Sequence, residues 1–176
     1  MDGFWVFGYG SLIWNPGFEA ETRELATVKG YRRAFCLASI VYRGTPEAPG
    51  LVLALDAVEG AACEGVAFRV SKARAAETLD YLRGRELVSS AYQEREVVVE
   101  LASGAAVPAV TYVMDRGHAQ YRGSLSLAAQ ADIIARAVGP AGTNREYLLN
   151  TARALAEIGL HDPDLAWLAE TVVRRG

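Results

Sequence analysis

Phe7-Gly8-Tyr9-Gly10-Ser11-Leu12 is the stretch on which the reading of this chain turns. The apolar run Phe4 to Phe7 reads as a buried strand, and it empties into two glycines flanking a tyrosine, then a serine. Trp14-Asn15-Pro16-Gly17 follows and reads as a turn, not a helix. Glycine permits close backbone approach and positive φ. Successive N–H groups at such a turn can form an anion-binding nest. The stretch therefore reads as a loop that holds a small polar ligand by its main chain, against the plainer reading of a tight turn whose glycines serve geometry alone. A dinucleotide fingerprint would need a third glycine at position 13, where Ile13 stands, and a helix after it. No phosphate loop ending in Gly-Lys-Ser/Thr occurs.

Outward from that stretch, 176 residues suit a single domain spanning 1–176, and an apolar share of 51% is enough for a proper core. A net charge of -3, with Arg pairs only at 32-33 and 174-175, argues against nucleic acid as a partner. No apolar run approaches membrane-spanning length, and no basic stretch with a cleavage site follows Met1. Cys36 and Cys63 lie far apart in strand-like segments and read as buried free thiols of a reducing cytoplasm. With His118 and His161 they make no metal-site spacing, so no metal is expected.

The first two-thirds read mostly as β. Strands are expected over Arg32 to Tyr42, over Leu51 to Leu55, and around Val66, Phe68 and Val70. Residues 92–101 and 107–114 form a hairpin about Ser103-Gly104, with Pro108 marking an edge or strand start. One helix interrupts them, with Ser71 as N-cap and Ala75, Leu79 and Leu82 on one face. The last third is helical. Leu127, Ala131, Ile134 and Val138 form a stripe stopped by Gly139-Pro140. A capping box of Thr143 and Glu146 opens the next helix, which Gly159 ends. Asp162-Pro163 opens the last, with Leu165, Leu168 and Val172 inward. Five or six strands with segregated helices make an α+β domain, and strong twist could close the sheet into a small barrel.

Catalytic groups are few. Ser11 lacks the strand-elbow-helix setting of a hydrolase nucleophile. His118 sits in a polar loop and His161 beside a helix cap. Glu86 is different. Extending the face of Leu79 and Leu82 turns its carboxylate inward, where a charge is costly unless paired or protonated. It is either a functional acid or the partner of Arg83 or Arg85 at the helix end. Tyr147, next to an apolar stripe, either offers its hydroxyl to a polar ligand or belongs to the core. Arg43-Gly44-Thr45-Pro46 with Pro49-Gly50 is either a binding loop or a plain hairpin connection.

Four ordered blocks closely resemble the ChaC-type, glutathione-specific γ-glutamylcyclotransferases. They are Trp5 to Trp14, Gly30-Tyr31-Arg32-Arg33 continuing to Arg43-Gly44-Thr45-Pro46, Tyr81 to Glu86 with Tyr92, and Gly139 to Asn144 with Glu146-Tyr147-Leu148. Tyr31 departs from the Trp common in relatives, and Val88-Ser89-Ser90-Ala91 replaces a turn richer in glycine. The resemblance implies an α+β fold with a small closed or nearly closed barrel of five to seven strands and flanking helices. It implies Glu86 as catalytic acid/base, with Tyr9, Gly10, Ser11, Leu12, Arg43 and Tyr147 binding substrate. It implies cleavage of glutathione, a small-molecule partner, to 5-oxoproline and Cys-Gly, with no cofactor. Two alternatives stay open: a cyclotransferase for other γ-glutamyl amines or amino acids, and a non-catalytic metabolite-binding module.

Overall fold

The computed structural model describes residues 2–176. Its elements run β1 (Phe4–Gly8), α1 (Ser11–Trp14), β2 (Thr22–Ser39), β3 (Gly50–Val70), α2 (Ala75–Glu86), β4 (Tyr92–Leu101) and β5 (Ala106–Met114), then α3 (Leu127–Ile134), the two-residue strands β6 (Val138–Gly139) and β7 (Gly142–Thr143), α4 (Asn144–Glu157) and α5 (Pro163–Arg174). The first five strands form a closed mixed barrel in the order β1-β3-β2-β4-β5, as the resemblance implied. Two compact units divide the chain: residues up to 33 with 54–119, and residues 34–53 with 120–176.

In the first unit β1 is central. It pairs antiparallel with β3, from Phe4 against Val70 to Gly8 against Val66, and parallel with β5, Trp5 against Ala109 and Val6 against Val110. Val6 and Phe7 are both fully buried although they point to opposite faces, which is why β1 is apolar without alternation. Thr111 Oγ1 donates to the Phe7 carbonyl at 3.0 Å. The expected hairpin is present: β4 and β5 pair from Tyr92 with Met114 to Glu100 with Ala106, and Gly104 turns at φ 98°. Pro108 lies opposite Val98, near the start of β5.

Several expectations need correction. Trp14 ends a one-turn helix, closed by Ile13 N–H to the Gly10 carbonyl (3.0 Å) and Asn15 N–H to that of Ser11 (2.7 Å), and Asn15-Pro16-Gly17 follows as irregular chain. A strand, two residues and a helical turn therefore do follow one another around Ser11. β2 starts ten residues before Arg32 and stops at Ser39, short of Tyr42. The two strands expected over 51–55 and 66–70 are one strand of 21 residues, with Gly60 at φ 81° inside it. Ser71 makes no capping bond, and a 3-10 turn (Lys72–Arg74) leads into α2.

In the second unit the helices supply the core. α5 packs on α3 and α4, burying Ile134, Leu148, Leu155, Leu165, Leu168 and Val172. Asp162 caps α5 by accepting from Leu165 N–H at 3.1 Å, and Gly159 ends α4 at φ 78°. α3 stops at Ile134, before the expected Gly139-Pro140, and Val138 is exposed in β6. Asn144 is fully buried and acts as a substitute strand. Its Nδ2 donates to the Leu51 carbonyl and its Oδ1 accepts from Leu51 N–H, both at 2.7 Å.

Candidate active site

The turn after β1 is fixed at several atoms. Tyr9 is buried, and its hydroxyl donates to the Tyr112 carbonyl at 2.8 Å. Its own carbonyl accepts from Arg33 Nε at 2.6 Å, and the same guanidinium reaches the Glu64 carbonyl. The neighbouring Arg32 turns the other way on β2, as strand alternation requires, and with Arg116 it flanks the fully buried carboxylate of Asp56. Leu12 is buried beneath the turn. Ser11 opens α1, where the first N–H groups of a helix have no intrahelical acceptor. Its hydroxyl accepts from Arg85 Nη2 at 3.0 Å. A guanidinium cannot take a proton from Ser11, so the strand–turn–helix order does not make it a hydrolase nucleophile.

Glu86 is the last residue of α2, on the side of buried Leu79 and Leu82, and its side chain is only 14% exposed. Burial pushes its carboxyl up from the ordinary value, and the Arg85 charge partly opposes this. Arg85 Nε lies 3.4 Å from Glu86 Oε1. Glu86 thus faces inward and has an ionic neighbour in Arg85. Arg83 goes elsewhere, forking onto Glu94 of β4 with two bonds of 2.9 Å. That fork holds the Glu94 carboxyl below its ordinary value. Glu94 Oε2 accepts from the Tyr112 hydroxyl at 3.1 Å. Burial, then the Glu94 and Glu86 charges, push the Tyr112 phenol up. Arg85 thereby connects Glu86 to the glycine turn, and the Glu86 charge is felt at Tyr112. A groove of about 400 Å³ opens beside Phe18, Arg74 and Tyr81 and includes neither Glu86 nor Ser11.

Arg43 and Tyr147 belong to the second unit. Arg43 is buried, with Nη1 on the Thr143 carbonyl (3.1 Å) and Glu146 Oε2 (3.0 Å) and its guanidinium 5.7 Å from the Tyr147 ring centre. The capping box is consequently half made. Thr143 Oγ1 accepts from Glu146 N–H at 3.1 Å, but the Glu146 carboxylate pairs with Arg43. Tyr147 is buried. Its hydroxyl accepts from Leu53 N–H at 3.2 Å and its ring meets Phe35 edge-on. Tyr112 and Glu94 carry no signal in the sequence, and Arg33 stands out there only within the Gly30-Tyr31-Arg32-Arg33 block. The signal for Arg33 was its place one step after Arg32 on a strand, which aims it at the opposite face.

The closed five-strand mixed barrel with flanking helices is shared with γ-glutamylcyclotransferases of known structure. The crystal structure of the glutathione-specific enzyme from yeast superposes with a TM-score of 0.89 at 27% identity, over 99% of this chain and 97% of that one. The family model for ChaC-like proteins matches residues 4–175, and the chain belongs to that family. It is 37% identical to the glutathione-specific gamma-glutamylcyclotransferase of Escherichia coli, over 92% of this chain and 69% of the relative. It is 38% identical to gamma-glutamylcyclotransferase 2-3 of Arabidopsis thaliana, over 96% and 87%. Among the described residues no helix is long and apolar enough to cross a membrane.

Proposed function

We propose that this chain is a γ-glutamylcyclotransferase that converts glutathione to 5-oxoproline and Cys-Gly in the cytoplasm. A γ-glutamyl amide carries its own nucleophile. The α-amine attacks the γ-carbonyl carbon, a five-membered lactam closes, and the bond to the cysteine nitrogen breaks. The α-ammonium must first lose a proton, and the leaving nitrogen must gain one. Glu86 takes that first proton and passes it to the leaving nitrogen, then relays the second proton that the attacking nitrogen sheds as it becomes the lactam N–H, so the amine departs as –NH3+ and the reaction balances without water. A carboxylate whose affinity for protons is raised by burial is suited to that shuttle. Tyr9, Gly10, Ser11 and Leu12 hold the glutamyl part, and main-chain N–H groups of the turn stabilise the oxyanion. Folding the flexible glutamyl chain into an attack conformer supplies up to roughly 7–11 kcal/mol of the barrier. Arg43 and Tyr147 are carried as substrate contacts on the family resemblance.

The observation that supports this reading best is the largely buried carboxyl of Glu86, connected through Arg85 to Ser11 of the glycine turn. Mass spectrometry after adding glutathione tests it: 5-oxoproline and Cys-Gly should appear in equal amounts. A parallel series of γ-glutamyl dipeptides and amines measures selectivity. Turnover of those without turnover of glutathione would replace the substrate. Binding without any 5-oxoproline would replace catalysis by ligand storage.

A further inference from the structure

Arg85 carries more hydrogen bonds than an ion-pair partner needs. Nη2 donates to Ser11 Oγ at 3.0 Å, and Nη1 donates to the carbonyls of Asn15 (2.5 Å) and Pro16 (3.2 Å) and to the Tyr81 hydroxyl (3.1 Å). Its remaining nitrogen, Nε, is the one at 3.4 Å from Glu86. The Arg85 side chain is only 18% exposed although α2 ends there. A planar fork with several fixed donors can hold a loop and a carboxylate in one register, which a flexible ammonium cannot. Gly17 makes room for this arrangement. It stands at φ 72°, and a Cβ there would lie 1.9 Å from the Tyr81 hydroxyl.

We propose that Arg85 is a positioning residue of the reaction, with two separable tasks: its fork sets the glycine turn against Glu86, and its charge sets how readily Glu86 holds a proton. The proposal rests on the cyclotransferase reading above. The charge that acts on Glu86 is that of Arg85 on its own helix, and Glu86 in turn acts on Tyr112 of β5. Behind Tyr112 stand Glu94 on β4 and Arg83 of α2. Arg85 is the cation in direct contact with the Glu86 carboxylate. Its removal leaves burial unopposed, and the Glu86 carboxyl then keeps its proton to higher pH.

The test is the pH profile of kcat/KM for 5-oxoproline release by the wild type, Arg85→Gln and Arg85→Lys. In the Gln variant the acid limb should move to higher pH, so that the loss of kcat/KM is several-fold larger at pH 5 than at pH 8. In the Lys variant the limb should stay in place while kcat falls roughly 10- to 100-fold, the cost of a misplaced reacting group. A parallel fall at all pH values in the Gln variant overturns the charge task. Wild-type kcat in the Lys variant overturns the fork task, and this variant alone decides if the Gln protein does not melt cooperatively. Absence of 5-oxoproline from the wild type would sink the cyclotransferase reading instead.

Discussion

The Arg85 guanidinium donates to the Ser11 hydroxyl at 3.0 Å across 74 positions of sequence, joining the end of α2 to the turn that leaves β1. The same side chain borders Glu86. The carboxyl and the glycine turn therefore share one anchor, ion-paired to the first and hydrogen-bonded to the second, and substitutions at either end should be felt at the other.

Glu86→Gln should fold, bind glutathione and lose at least about 10²-fold in kcat, the lower range for a positioned acid/base. Single-turnover formation of 5-oxoproline, with ligand binding by calorimetry, measures both. Wild-type turnover would remove Glu86 from the mechanism.

Two carboxylates should titrate stability in opposite directions. Glu86 has a raised folded-state value, so its contribution is fully present below its unfolded value near 4.5 and is lost as pH rises through the folded one. Glu94 is lowered by the Arg83 fork, so its contribution is present above 4.5 and is lost as pH falls through its folded value. Melting temperatures of Glu86→Gln and Glu94→Gln at pH 4 and pH 8 check the signs. Relative to wild type, Glu86→Gln should be stabilised more at pH 8 than at pH 4. Glu94→Gln should be destabilised more at pH 8.

Gly65→Ala should cost about 1–3 kcal/mol by overpacking. A Cβ at this position would lie 2.4 Å from the Gly8 carbonyl oxygen, which is backbone and cannot rotate away. Urea melts give the stability loss. Because Gly8 immediately precedes Tyr9, KM for glutathione should rise as well.

Ser90 has φ 59°, the one positive value outside glycine among the described residues. Ser90→Gly should gain no more than about 1 kcal/mol, because relief of the left-handed conformation is partly offset by a floppier unfolded chain. Chemical denaturation reads the difference, and activity should be unchanged.

Features that depend on neighbouring residues were readable. The strand before Gly8, the inward face ending at Glu86, the β4–β5 hairpin, the Asp162 cap and the Gly159 stop all follow from short-range pattern. The long β3 was not readable, because Glu59, Gly60 and Glu64 interrupt its apolar pattern while the chain stays extended. Partner choice was not readable either. Thr143 and Glu146 have capping-box spacing, yet Arg43, 103 positions away from Glu146, takes the carboxylate. Arg83 and Arg85 looked alike beside Glu86, and only the fold sends one to Glu94 and the other to Ser11.

The parallel pairing of β1 with β5 has a consequence for biosynthesis. Thr111 reaches Phe7 across 104 positions, whereas β4 and β5 meet through a short local turn. Distant contacts form slowly because chain entropy is lost before they reward it. The glycine turn thus leaves the ribosome ahead of β5 but acquires its final shape only after β5 has been made. A nascent chain stalled before residue 106 should carry every atom of that turn and still be inert toward glutathione.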